Sequence, residues 1–284
     1  MKKKIISIIS VVVVLVMTFA ATVSAATPAM SAKKGLATVD GVINASEYGS
    51  KVTMNTANGY IFGGTNAKAA TCPTIDFYFA WTATDLYIAF TSTDLKAGDA
   101  VQLCMNPGNI ITGNAGTTAN KKPGLFWTFW TVANSDALDV HRHNYQALAA
   151  DQKDGSDIKV NATVTSKVVT TATSVTAELK IPFTTILVND AKLGVNLSTF
   201  APADAKTIGL ALFTMRTVSE AGKDSNWTTA PHTLWNYTDV DGTLTLAAEG
   251  AAVVVPTNPT TADLGLVSMA VMAVASMVVL KKKK

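Results

Sequence analysis

Ile75-Asp76-Phe77-Tyr78-Phe79-Ala80-Trp81, then Thr82-Ala83-Thr84, then Asp85-Leu86-Tyr87-Ile88-Ala89-Phe90 is the stretch that decides the fold. Aromatic and aliphatic residues crowd both runs and small polar residues separate them, which predicts a β-hairpin. Outward from it, residues 100–105 follow a Gly-Asp turn and stop at Asn106-Pro107-Gly108. Further strands are expected at 159–165, 167–171, 174–181, 207–216 and 243–247, separated by turn residues at sandwich spacing. Pro182-Phe183 breaks the strand that ends at Ile181, and residues 183–187 suit one helical turn. No internal repeat is evident. The expected class is all-β: an antiparallel β-sandwich, immunoglobulin-like or jelly-roll-like.

The two ends read differently from the body. Met1 to Lys4 are basic, residues 5–20 are apolar, and Val23-Ser24-Ala25 offers a small-residue cleavage site. That is the pattern of a secretory signal peptide over residues 1–25. Residues 264–280 are apolar and uncharged, and Lys281 to Lys284 follow. A span of that length is at the lower limit for a transmembrane helix, and the lysines would hold the basic tail, 281–284, in the cytoplasm. Residues 250–263 then form a linker. Within it, Asn258-Pro259-Thr260-Thr261-Ala262-Asp263 resembles a Gram-positive cell-wall sorting signal, with Ala262 where glycine is usual and Asn258 where leucine is commonest. The resemblance implies cleavage after Thr261 and attachment to peptidoglycan; otherwise the span is a membrane anchor. Either route leaves residues 36–249 as the folded domain, on the outer face of the cell surface.

Composition has to be reread with the ends set aside. The 48% hydrophobic content, positive mean hydropathy and net charge of +3 owe much to the apolar and lysine-rich termini. The remaining domain is near neutral or mildly acidic, which excludes a basic nucleic-acid-binding footprint. Cys72 and Cys104 alone are too few for a disulfide framework, although a single bridge between them is compatible with an oxidising exterior.

Candidate site residues are aromatic and polar. Ser225-Asn226-Trp227 and Leu234-Trp235-Asn236-Tyr237 place two tryptophans in polar, loop-like sequence before a closing strand. A pyranose packs its C–H face on an indole while its hydroxyls seek donors and acceptors, so the two kinds of group must sit together. Phe126-Trp127-Thr128-Phe129-Trp130 alternates, setting Trp127 and Phe129 on one strand face and Phe126, Thr128 and Trp130 on the other. One face is core, and Trp127 is favoured over Trp130 as the second ring. Arg142, Asn144 and Gln146 share a face in an extended strand and make a polar row expected to point away from the core. The guanidinium of Arg142 can fork two hydroxyls, which an ammonium does less rigidly. His141 and His143 lie on the opposite face; two such residues can share a metal but fall short of a full ligand set. Asp239-Val240-Asp241-Gly242 and Asp40-Gly41 are acidic turns able to supply calcium oxygens, without the spacing of a twelve-residue calcium loop. No nucleophile elbow, phosphate loop or zinc-protease motif is present, so no catalytic residue is assigned.

Four segments, in order, carry a family resemblance. They are Val39-Asp40-Gly41-Val42-Ile43-Asn44-Ala45-Ser46-Glu47-Tyr48; the hairpin ending at Phe90 with Asp94 after it; Ala177-Glu178-Leu179-Lys180-Ile181-Pro182-Phe183; and Arg216, Trp227, Trp235 and Gly242-Thr243-Leu244-Thr245-Leu246. Together they resemble carbohydrate-binding module family 9 and its DOMON-like relatives. The resemblance implies a β-sandwich with a sugar, polysaccharide or oligosaccharide, bound at one end between two aromatic rings, and calcium supporting the loops. Trp235 matches the family's late aromatic and Trp227 its "SW" position. Arg216 matches a strand-end arginine expected to pair with Glu178 or Asp76. DOMON relatives also bind haem through Met and His, and His141, His143, Met105 and Met215 are this chain's candidates. The expectation is therefore a surface-anchored, non-catalytic sugar-binding module, the alternatives being a haem-binding DOMON-like domain or a structural or adhesive domain without a small ligand.

Overall fold

A computed structural model describes residues 30–61, 69–110, 125–143, 157–190, 195–216, 226–229 and 242–250. The chain divides into two compact units, Met1–Ala251 and Ala252–Lys284, and every described residue belongs to the first. The expected signal peptide, the linker with Thr261 and the apolar span 264–280 lie outside the described residues. No helix among the described residues is long and apolar enough to cross a membrane.

The structure is nearly all β. In chain order the elements are β1 (Met30–Lys34), β2 (Val52–Met54), β3 (Tyr60–Ile61), β4 (Ile75–Trp81), β5 (Asp85–Ser92), β6 (Ala100–Pro107), β7 (Leu125–Thr131) and β8 (Leu138–His143). After these come β9 (Asp157–Lys159), a 3-10 turn (Asn161–Thr163), β10 (Thr165–Thr170), β11 (Val175–Pro182) and α1 (Phe183–Ile186). The last are β12 (Asn189–Asp190), β13 (Val195–Asn196), β14 (Thr207–Met215), β15 (Asn226–Thr228) and β16 (Gly242–Leu246). The expected β4-β5 hairpin forms, with Asp76 opposite Thr91 and Trp81 opposite Leu86.

One curled sheet carries the order β10-β11-β5-β4-β1-β16-β14-β6-β7-β8-β9. It is mixed, and this corrects the antiparallel expectation. β1 runs parallel to both neighbours, pairing Met30 to Ala32 with β16 and then Lys33 and Lys34 with β4. That switch joins a β4-β5-β11-β10 half to a β16-β14-β6-β7-β8 half. At the far side the halves meet again: Val168 N–H donates to Asp136 O at 2.7 Å, and Leu138 N–H donates to Ser166 Oγ at 3.0 Å.

The enclosed space is filled by the period-two side chains of both halves. Phe77, Phe79 and Trp81 of β4, Leu86, Ile88 and Phe90 of β5, and Leu179 and Ile181 of β11 belong to the same core as Leu103, Met105, Trp127, Phe129 and Leu212. Burial of an aromatic or branched side chain contributes about 1.5–3 kcal/mol, so this shared core is the main term holding the halves together.

The two outer faces are treated differently. On the β4-β5-β11 half, Tyr78, Ala80, Tyr87, Ala89 and Glu178 point outward, and Ala37, Val39, Ile43 and Tyr48 pack over them. The cover is pinned by the Glu178 carboxylate, which is fully buried. It accepts from Tyr48 Oη–H at 2.7 Å, Gly41 N–H at 2.8 Å and Asp40 N–H at 3.1 Å. Burial pushes the Glu178 carboxyl above its ordinary range despite these three donors, and raises the Tyr48 phenol as well. Gly41 sits at φ +90°, a backbone region costly for other residues, with Val169 directly over it.

Candidate functional site

Strand pairing builds the other outer face residue by residue. β14 pairs β6 with Phe213 opposite Gln102 and Ala211 opposite Cys104; β6 pairs β7 with Ala100 opposite Trp130, Gln102 opposite Thr128 and Cys104 opposite Phe126. β7 pairs β8 with Trp130 opposite Asp139 and Thr128 opposite His141, and His141 stands opposite Lys159 of β9. Cross-strand neighbours on one face lie about 5 Å apart, so each row is a contact chain. The rows read Met215-Ala100-Trp130-Asp139, then Phe213-Gln102-Thr128-His141-Lys159, then Ala211-Cys104-Phe126.

This face combines aromatic rings with hydrogen-bonding groups. Phe126 and Phe213 meet edge-to-face at 4.9 Å beside Cys104 and Ala211, a small apolar cluster separate from the main core. Gln102, Asn106 and Thr128 are buried on the same face, with Gln102 Nε2 donating to Thr128 Oγ1 at 3.1 Å. Toward β8 the face opens. Trp130, Asp139 and His141 are half-buried and Lys159 is exposed. Lys159 Nζ lies 2.7 Å and His141 Nε2 3.3 Å from Asp139 Oδ1. Burial raises the Asp139 carboxyl, but these two partners outweigh it and hold it below its ordinary value. An ionised acceptor thus stands next to the indole of Trp130, whose other cross-strand neighbour, Ala100, is small. The register sets an aromatic ring and a charged acceptor on neighbouring strands of one face, the two kinds of group a polyhydroxylated ring requires.

The sequence-derived candidates distribute unevenly. Trp127 is fully buried in the main core and Trp227 is 1% exposed, so both are corrected from stacking rings to core residues. Their faces were set by Leu125, Phe129, Leu210 and Leu212, which share the core. Arg142 is corrected too: it is buried, follows Leu138 and Val140 on the inward face of β8, and stands opposite Trp127. Its Nη1 donates to Thr185 O of α1 at 2.9 Å, a structural tie across the end of the core. His141, by contrast, points outward. Trp130 is the tryptophan of that segment which reaches the surface, and Gln102, Asp139 and Lys159 beside it had no signal beyond ordinary alternation.

Arg216 pairs with neither Glu178 nor Asp76. Its guanidinium lies over the Trp227 ring, 5.5 Å from the centroid, and Nη2 donates to Asp94 O at 3.5 Å. Asp76 instead accepts from Lys51 at 3.0 Å and Thr53 at 2.6 Å. Met105 is a core residue on the inward face of β6 while His141 is on the outward face of β8, so these two do not converge on one haem. Cys72 is half-buried before β4, and Cys104 is buried in β6. Among the described residues no group of three His, Cys, Asp or Glu side chains is placed to hold a metal. The Asp40 carboxylate accepts from Val42 N–H at 2.8 Å through Oδ1, as turn chemistry requires. Trp235, Asn144, Gln146, Asp239 and Asp241 lie outside the described residues.

Several solved structures are similar to this chain, among them two carbohydrate-binding modules. One is a carbohydrate-binding module of family 9 from Caldicellulosiruptor kristjanssonii in complex with cellotriose, at 13% identity and a TM-score of 0.45, covering 81% of this chain and 99% of that one. The other is a family 9 module from the same organism in complex with glucose, at 12% identity and a TM-score of 0.42, covering 78% and 98%. No family model matches the chain, and a search of the curated proteins finds no match.

Proposed function

We infer that this chain is a non-catalytic, surface-anchored β-sandwich that binds a glycan on the outer face of β6, β7 and β8. The observation that carries the reading is the half-buried Trp130 set in register beside Asp139, which Lys159 and His141 hold ionised. The indole supplies the stacking platform. Asp139 accepts from sugar hydroxyls, while the exposed Lys159 supplies a donor. Trp235 remains the opposing ring of this proposal, and Asn144 and Gln146 its amide donors, on the sequence reading alone. Secretion through residues 1–25 and retention through residues 258–284, by membrane span or by transfer at Thr261, complete it. Calcium at Asp239 and Asp241 would brace a loop and takes no part in sugar contact.

Isothermal titration of the purified chain with cellotriose, glucose and a panel of plant and bacterial oligosaccharides tests the reading. Trp130→Ala removes the ring and should weaken binding by roughly 10- to 100-fold, the range for losing one base- or sugar-sized stacking contact of about 1–3 kcal/mol. Trp127→Phe, a core change, should leave affinity within about threefold once the protein is folded. Equal affinity in Trp130→Ala and the parent protein would remove the outer face as the site.

A further inference from the structure

Strand register gathers histidine and carboxylate residues at one corner of the β8-β9 outer face. β8 sets Asp139, His141 and His143 at alternate positions, and alternate positions of a strand share a face. Asp139 and His141 are on the outward side, so position 143 belongs to it as well. β9 then places Asp157 opposite His143 and Lys159 opposite His141. The side chains of His143 and Asp157 are outside those described, and these two residues enter through register alone. Cross-strand neighbours stand about 5 Å apart, and next-but-one residues of a strand about 6.6 Å, so positions 141, 143 and 157 form one small triangle.

The residue types in that triangle select a class of ligand. Two histidines supply two nitrogens, and a zinc-class site takes at least three protein ligands. Asp157 is the third candidate, and sequence spacing gave no sign of it because it arrives from the next strand. Imidazole nitrogen together with carboxylate oxygen is a donor set for a divalent transition ion, whereas calcium and magnesium take oxygen ligands.

A second observation concerns the orientation of His141. Its Nε2 lies 3.3 Å from Asp139 Oδ1. A metal-ligating histidine characteristically gives its other ring N–H to a carboxylate, which fixes the tautomer and the direction of the ring. With Asp139 taking Nε2–H, Nδ1 is the nitrogen that carries the lone pair. Lys159 Nζ, 2.7 Å from the same Oδ1, steadies the carboxylate. Its side chain is 60% exposed, so an arriving cation can displace the ammonium into water.

We propose that this corner, where register brings His141, His143 and Asp157 together and Asp139 orients His141, binds one divalent transition metal ion of the zinc class. The proposal is independent of the sugar reading, and its test uses no glycan.

The purified full-length protein, without an affinity tag, is labelled with 15N-histidine, stripped with a chelator and titrated with zinc chloride. The chain holds three histidines, so each set of imidazole signals is assigned by its loss in His141→Gln, His143→Gln or His232→Gln. The expected result is a saturable change in the His141 and His143 signals at one ion per chain, centred on Nδ1 in His141, with His232 unmoved. Calcium chloride at the same concentration should move none of the three. In isothermal titration, zinc affinity should fall ~10- to 100-fold in Asp139→Asn, the usual cost of losing an outer-shell partner, and further in His143→Gln and Asp157→Asn. Where a variant fails to fold, the histidine signals of the parent protein decide. The proposal is overturned by no saturable change below about 1 mM zinc, by an equal response at His232, by coordination through His141 Nε2, or by unchanged affinity in a folded His143→Gln.

Discussion

Replacing Glu178 by alanine should cost about 3 kcal/mol of folding stability, a figure that follows from its three donors. Glu178 is fully buried on the outward face of β11 and holds Tyr48 Oη–H, Gly41 N–H and Asp40 N–H. Asp40 is exposed and its N–H can turn to water, whereas Gly41 and Tyr48 are buried and their donors are stranded. Two stranded donors at about 1–3 kcal/mol each give roughly 2–6 kcal/mol, reduced where the cover segment loosens enough to admit water. Glu178→Gln should cost only about 1 kcal/mol, because the amide oxygen can serve the backbone donors while its NH2 meets Tyr48 Oη as an acceptor. The pH dependence has a definite sign. A carboxyl raised by burial contributes stability that is complete below its unfolded value and declines as pH rises through its folded value, so Glu178→Gln should gain on the parent protein along that limb. Urea unfolding followed by tryptophan fluorescence, with Tyr48→Phe and the double variant closing a cycle, measures the pair. A loss below about 1 kcal/mol for Glu178→Ala, or a coupling to Tyr48 near zero, would refute the pinning role.

Gly49→Ala tests the crossing of β1 over the β2–β4 corner: an added Cβ would lie 2.0 Å from Ser31 O, while Gly49 N–H is committed to Phe79 O at 2.8 Å. Neither backbone can yield cheaply, so a loss of about 1–3 kcal/mol or failure to fold is expected in thermal unfolding. Asp139→Asn should flatten the acid limb of the stability profile. The parent carboxylate, held below its ordinary value, stabilises above its unfolded value and ceases to do so as pH falls through its folded value. With Asp139 about 29% exposed the effect should stay below about 1 kcal/mol, and unfolding midpoints across the carboxylate range would read it.

How far these features could be seen beforehand differs by element. The β4-β5 hairpin was legible because Phe77, Phe79 and Trp81 alternate strictly with Asp76, Tyr78 and Ala80, and one face is much the more apolar. The 207–216 strand was legible by length, although β14 is buried on both faces from Ile208 to Thr214. β1 was missed: Met-Ser-Ala-Lys-Lys has no periodicity, and its strand character comes from parallel partners about 50 and 210 residues away, a non-local pairing without a local cue. The Trp127 and Trp130 faces were separated correctly, but which was inner could not be read. Both faces of β7 are aromatic and both are largely buried, so alternation alone leaves the choice open. Arg142 was assigned to the wrong side because it was grouped with Asn144 and Gln146. Followed from the other end, Leu138, Val140 and Arg142 form one inward row whose last member spans the core edge to reach Thr185.

That asymmetry between the outer faces bears on where a ligand can sit. The segment quoted for its family resemblance at residues 39–48 turns out to be a lid over the β4-β5-β11 face, clamped by a buried carboxylate, and its aromatic Tyr48 is spent on that clamp. Stacking there would require breaking three hydrogen bonds and exposing Tyr48, Tyr87 and two buried alanines. The β6-β7-β8 face has no such clamp among the described residues, and at Trp130, Asp139 and His141 its polar and aromatic groups are already in contact with solvent. A ligand at Trp130, Asp139 and His141 would meet groups that are already half exposed, whereas one at Tyr48 would first have to break the Glu178 clamp, so the first approach is the cheaper of the two.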